Sequence, residues 1–158
     1  MKTLFHVAPL LLEAGSIIKP GNWGRILNSY KFQQGNPWIL AREFIFESVR
    51  TSNFPSLPSR LSSSFAFEKL EDANQYKSNF ASWSSVYEVE FVDPNAITHR
   101  GSYDLASLPS EQVEFVPVVA SNAEKYWTGK EIQTAEIISK SSLRIKGLIS
   151  SGPRTYQP

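Results

Sequence analysis

Hydrophobic and polar positions alternate most regularly at residues 85–92, where Tyr87, Val89 and Phe91 interleave with Glu88 and Glu90. A period of two predicts a strand with one face in the core and one in water. Residues 3–7 (Thr-Leu-Phe-His-Val) predict a short first strand, and Ser16 to Lys19 a second extended piece that Pro20-Gly21 ends. Asn36-Pro37 opens a helix, with Asn as N-cap and Pro at the first helical position, and Trp38, Ala41, Ile45 and Val49 recur at helical spacing behind it. A connector is expected over 51–59, then a strand over 60–67. A second helix follows, with Glu68, Glu71 and Asp72 at its N-terminus and Leu70, Ala73, Lys77 and Phe80 on one side. Residues 22–35, with two glycines and no periodicity, read as a long surface loop. Residues 97–103 predict an edge strand, and Pro117 interrupts the apolar run 113–119. A short helix is expected over 120–127, closed by Thr128-Gly129, and two strands over 134–138 and 143–148 are read as a final hairpin.

This mixture of elements predicts an α+β domain. At 158 residues the chain has the length of one domain, expected over 1–149, with a flexible Ser/Gly/Pro-rich tail over 150–158. There is no cysteine, which excludes disulfides, Cys-ligated zinc and thiol nucleophiles, and with only His6 and His99 no metal site is expected. The apolar stretch 4–12 is broken by His6 and Pro9 and followed by Glu13, so neither a signal peptide nor a membrane span is expected and the reading is cytosolic. The net charge of +1 conceals a segregation. Residues 1–62 hold seven Lys/Arg against three Asp/Glu, residues 63–136 five against twelve, and residues 137–158 four against none. If the two basic ends meet in the fold, they form a face suited to phosphate.

Three common site types are absent: no phosphate-binding Gly-x-x-x-x-Gly-Lys loop, no Gly-x-Gly-x-x-Gly and no Gly-x-Ser-x-Gly elbow. What remains is His6 in the first strand, the polar-to-aromatic run Arg60 to Phe67, and Glu136 among apolar neighbours in Ala135-Glu136-Ile137-Ile138. Each alone reads equally as a structural residue; their order gives them meaning together.

That order resembles the ADP-ribosyltransferase superfamily, in which a His on an N-terminal strand, an aromatic on a middle strand and a Glu on a late strand meet in one NAD cleft. Leu4-Phe5-His6-Val7 followed by Leu12-x-x-Gly15-x-Ile17-x-x-Pro20-Gly21 is similar to the start of small bacterial members, including rifamycin-modifying transferases. Ser64-Phe65-Ala66-Phe67, with Ala73 and Tyr76 behind it, resembles the middle motif. Gln133-Thr134-Ala135-Glu136-Ile137-Ile138 resembles the catalytic strand of DNA-modifying members. The sequence departs from the pattern at Phe65, where Tyr is usual, and at Thr134, which removes the Glu-x-Glu pair of arginine-directed members.

The resemblance implies a single compact domain with a mixed, split β-sheet core and flanking helices. It implies NAD as co-substrate, no metal, and a toxin or defence enzyme. Glu136 would hydrogen-bond a ribose hydroxyl, stabilise positive charge developing on the ribose and help deprotonate the acceptor. His6 would bind the adenosine-side ribose, the Val7 backbone the nicotinamide amide, and Phe65 would stack on the nicotinamide, with Ser64 beside it. Arg60 and Arg25 would meet the pyrophosphate. In the loop before the catalytic strand, Trp127, Lys130 and Gln133 would select the acceptor, with Trp127 stacking an unpaired base. An RNA or DNA acceptor is expected first, a protein or an antibiotic next, together with an antitoxin or inhibitor protein as partner. A catalytically inactive interaction module of the same fold is the alternative.

Overall fold

Leu4–Ala8 forms β1, in which Leu4 and Ala8 point to one face of the sheet while Phe5 and Val7 point to the other, as strand alternation requires. The computed structural model describes residues 2–153 and adds six strands in chain order: β2 Ile17–Ile18, β3 Ser64–Phe67, β4 Ser85–Phe91, β5 Thr98–Ser102, β6 Ala135–Ser139 and β7 Leu143–Ser150. The helices are α1 Asn22–Asn28, α2 Pro37–Asn53, α3 Leu70–Phe80 and α4 Phe115–Thr128, with single 3-10 turns at Arg60–Ser62 and Tyr103–Ala106. All seven strands join one sheet in the order β2-β7-β4-β1-β3-β6-β5. The protein is a single α+β domain. Every adjacent strand pair is antiparallel, so the sheet is not mixed.

A seam runs between β1 and β3. β1 pairs with β4 along its whole length, from Leu4↔Val89 to Ala8↔Ser85, and β3 pairs with β6 from Ser64↔Ser139 to Phe67↔Glu136. Between β1 and β3 only Phe5↔Phe67 is in register. The two halves therefore diverge past that pair, and the β3-facing edge of Val7 and Ala8 has no ladder partner. One core cluster, with Leu4, Ala8, Ala66, Tyr87, Val89, Leu143 and Ile145, lies on the face that Leu12 and Ile18 cover. The opposite face carries α3 over Phe67 and Val86, and α2 with α4 over Ile138.

Several expectations need correction. Residues 22–28 are helical rather than loop, because Gly24 lets α1 rest on the backbone of Leu61: a Cβ there would lie 2.2 Å from the Leu61 carbonyl oxygen. Only 64–67 of the expected strand 60–67 is extended; Ser59 Oγ accepts from the Leu61 N–H (3.2 Å) and starts the 3-10 turn instead. Pro117 does not delay the helix to residue 120, because it sits in the first turn of α4, where its missing N–H has no intrahelical partner to lose. β6 and β7 are not a hairpin: β3 and β5 occupy both edges of β6, while β4 and β2 occupy those of β7, so the short link between them crosses from one half of the sheet to the other. Of the expected tail, Ser150 ends β7 and the Gly152 N–H donates to Ser85 Oγ (3.2 Å); residues 154–158 lie outside the described residues. No helix among the described residues is long and apolar enough to cross a membrane.

Candidate functional site

β1, β3 and β6, which carry His6, Phe65 and Glu136, are far apart in sequence and are consecutive neighbours in the sheet. At the seam His6 Nδ1 donates to the Phe65 carbonyl oxygen (2.8 Å), so the half-buried ring occupies the gap where the strands part. That bond fixes the tautomer and leaves Nε2 as an acceptor. Burial lowers the His6 pKa, the Phe65 bond opposing it, so the ring is neutral near pH 7. Phe65 and Phe67 share a face with Glu136 and Ile138 by cross-strand register, and Val7 packs with Phe67 and Tyr76 on that same face. His6 lies on the other face, so it meets Glu136 only across the seam.

Glu136 is 3 % exposed and sits within a buried polar network. Tyr126 on α4 donates its hydroxyl to Glu136 Oε1 (2.8 Å), and Arg60 Nη1 donates to the same oxygen. Arg60 also donates to the Tyr126 hydroxyl (2.9 Å) and, through Nε, to Glu43 Oε2 (3.1 Å) on α2. Arg42 donates through Nη2 to Glu43 Oε1 (2.9 Å). Aromatic rings enclose the Arg60 guanidinium: its carbon lies 5.0 Å from the Tyr126 ring centre, 5.1 Å from Phe65 and 5.8 Å from Phe46. Four charges of balanced sign are thus withdrawn from water together, which is tolerable only because each finds a partner. Burial alone would raise Glu43, but the attraction of Arg60 and then Arg42 outweighs it and holds the carboxyl below its ordinary value. Burial, and then the charge of Glu136, pushes the Tyr126 phenol well up, so it stays a donor.

The other expected site residues fall differently. Trp127 is 2 % exposed, with Nε1 donating to the Phe46 carbonyl (2.9 Å), so it is core and cannot stack a base. Arg60 has its donors engaged by Glu43, Tyr126 and Glu136 and is not available to a pyrophosphate. The Arg60 guanidinium also lies over the half-buried Phe65 ring. Arg25 is exposed and tied to its own helix through the Pro20 carbonyl (3.3 Å) and Asn22. Ser64 is buried, its hydroxyl without a partner among the described residues. Lys130 and Gln133 are exposed in the loop before β6. No group of three or more His, Cys, Asp or Glu arranged to hold a metal ion occurs among the described residues.

Sequence reasoning missed Arg42, Glu43 and Tyr126. Arg42 is only 8 % exposed, and its Nε is buried without a partner among the described residues. Adjacent opposite charges in the middle of an apolar helix, at Arg42-Glu43, were the available signal.

A family model described as a protein of unknown function (DUF2441) matches residues 22–149. The chain belongs to this family. The region that DUF2441 covers contains the whole Arg42–Glu43–Arg60–Tyr126–Glu136 network and Phe65, and it begins after β1, so His6 and Val7 lie outside it. No curated protein matches the chain.

The network and the buried histidines set the pH response. His99, buried with Nε2 donating to the Tyr126 carbonyl (2.9 Å), is lowered by burial, against that hydrogen bond and with the help of the Arg60 charge. Below the ordinary value of 6.5 the unfolded chain takes up protons at His6 and His99 that the native state refuses. Stability is therefore expected to hold above pH 6.5 and to fall as pH drops through the window below it. Urea midpoints measured from pH 8 to pH 5 check this, and His99→Gln should flatten the acid slope.

Proposed function

We propose that the protein is an NAD-dependent ADP-ribosyltransferase that moves ADP-ribose to an acceptor and releases nicotinamide. The observation that carries the reading is the adjacency of β1, β3 and β6, which sets His6 against Phe65 at the seam where the sheet opens and Glu136 on the next strand. Bound NAD supplies the electrophile: the bond from nicotinamide nitrogen to ribose breaks, nicotinamide leaves with the electron pair, and the acceptor bonds to the ribose as it loses its proton. His6 Nε2 accepts a ribose hydroxyl. The unpaired edge of Val7 offers backbone groups to the nicotinamide amide, on the face where Tyr76 and Phe67 pack. Arg42, whose buried Nε has no partner among the described residues, takes the phosphate role together with exposed Arg25, since Arg60 is already engaged. Glu136 turns to the ribose when NAD binds; Arg60 then stays paired, since Nε and Nη2 already hold Glu43.

The acceptor is a nucleic acid in this reading on the strength of exposed Lys130 before β6, since Lys2, Arg50, Arg144 and Lys146 of the basic chain ends already pair with Glu68, Glu47 and Glu90; labelled NAD offered to RNA, DNA, protein and antibiotic pools separates the choices. The burial of Glu136 under Arg60 and Tyr126 favours a second reading, an interaction module of this fold whose carboxylate is structural. Ligand binding to the native state separates the two. NAD at a hundredfold excess over its Kd should add about 2.7 kcal/mol of stability. The rise in melting temperature should shrink in His6→Ala, and no rise at millimolar NAD favours the module.

A further inference from the structure

A second concavity lies outside the polar network, between α3, the 3-10 turn Tyr103–Ala106 and Thr134 just before β6. It encloses about 140 Å³. Its walls are aromatic: Tyr76 lies 5.4 Å from Tyr103 and 5.6 Å from Phe80 between ring centres, the Tyr76–Tyr103 pair meeting edge to face at 88°. Its polar lining includes Asp72, Asp104 and Gln75, and no Lys, Arg or His lines it among the described residues.

The two carboxylates differ. Asp104 has work within the fold: Oδ2 accepts from the Thr134 N–H (2.9 Å) and from Ser102 Oγ (3.2 Å), which fixes the turn against β6. Asp72 Oδ2 is buried with no hydrogen-bond partner among the described residues. The first turn of α3 favours the negative charge of Asp72, but a buried carboxylate oxygen without a donor is costly. Burial raises the Asp72 carboxyl; Lys69 opposes this and the Asp104 charge adds to it, so Asp72 gains from any cation brought close.

We propose that this cavity binds a small organic cation, a guanidinium or ammonium group, with its charge on Asp72 and its body against the Tyr76, Phe80 and Tyr103 rings. Aromatic faces attract such cations through their quadrupole, most strongly when the cation has left water. A phosphate-bearing or carboxylate ligand is repelled by both aspartates. The cavity is separate from the Arg60 network, none of whose residues lines it, although Tyr76 also borders the nicotinamide position proposed above.

Calorimetric titration of the whole chain with n-butylguanidinium tests the proposal, with n-butylurea as its uncharged counterpart of like shape. The guanidinium should bind the wild type and the urea should not. Asp72→Asn, close in size and checked by its melting curve, should weaken binding about tenfold or more through loss of the desolvated ionic partner. Phe80→Ala, which removes a half-exposed ring, should weaken it less. Equal binding of the urea, unchanged binding in Asp72→Asn, or no binding of the guanidinium at millimolar concentration would each overturn the assignment.

Discussion

Arg60→Leu is expected to remove about 3–5 kcal/mol of folding stability at pH 7, the loss typical when one partner of a buried ion pair is deleted. The leucine fills part of the space and keeps contact with Phe46, Phe65 and Tyr126, so lost packing is the smaller share. The larger share comes from the carboxylates. Glu43 keeps Arg42, but Glu136 keeps only the Tyr126 hydroxyl. Arg60→Lys should lie between, since an ammonium supplies charge without the fork that bonds Glu43, Tyr126 and Glu136 at once. Urea unfolding of the three proteins at pH 7 provides the measurement. A loss in Arg60→Leu below about 1 kcal/mol, the range of exposed pairs, would show that the network is not closed to water.

The fold was legible where periodicity was local. β4 follows from the alternation of Tyr87, Val89 and Phe91 with Glu88 and Glu90, and the start of α2 follows from Asn36-Pro37, whose side-chain cap is present in the Asn36 Oδ1 bond from the Trp38 N–H (3.0 Å). It was not legible where a distant contact decides. Gly24 reads as a helix breaker until Leu61 is known to lie against it, and Pro117 reads as an interruption until it is placed in the first turn. The pairing of 134–138 and 143–148 looked like a hairpin because sequence neighbours usually pair; the seam between β1 and β3 separates them instead.

The candidate site divides along the same line. The order His6, Phe65, Glu136 carried the adjacency of three strands, a long-range fact that a motif order can encode. The identity of the neighbours could not be read. Trp127 was read as a ring that stacks a base, yet helix α4 turns it and Tyr126 inward, one to the Phe46 carbonyl and the other to Glu136. Arg60 was read as a phosphate ligand from its charge, whereas Glu43, seventeen residues earlier, already claims it. Charged residues in amphipathic helices are ordinarily on the wet face, which is why Arg42 and Glu43 passed as surface.

In the proposed function Glu136 is the carboxylate that acts on NAD, rather than only the third point of a buried ion network. Nicotinamide release from NAD by the purified chain, compared between wild type and Glu136→Gln, tests this most directly. Glutamine preserves the size of the side chain and an acceptor for Tyr126 and Arg60, so its melting temperature should confirm that the fold survives. Wild type is predicted to release nicotinamide in the presence of acceptor, and the variant to be slower by about 10²–10⁴-fold, the usual range for a positioned acid–base group. Release by wild type and folded Glu136→Gln at equal rates, or no release by wild type with any acceptor pool, would contradict it.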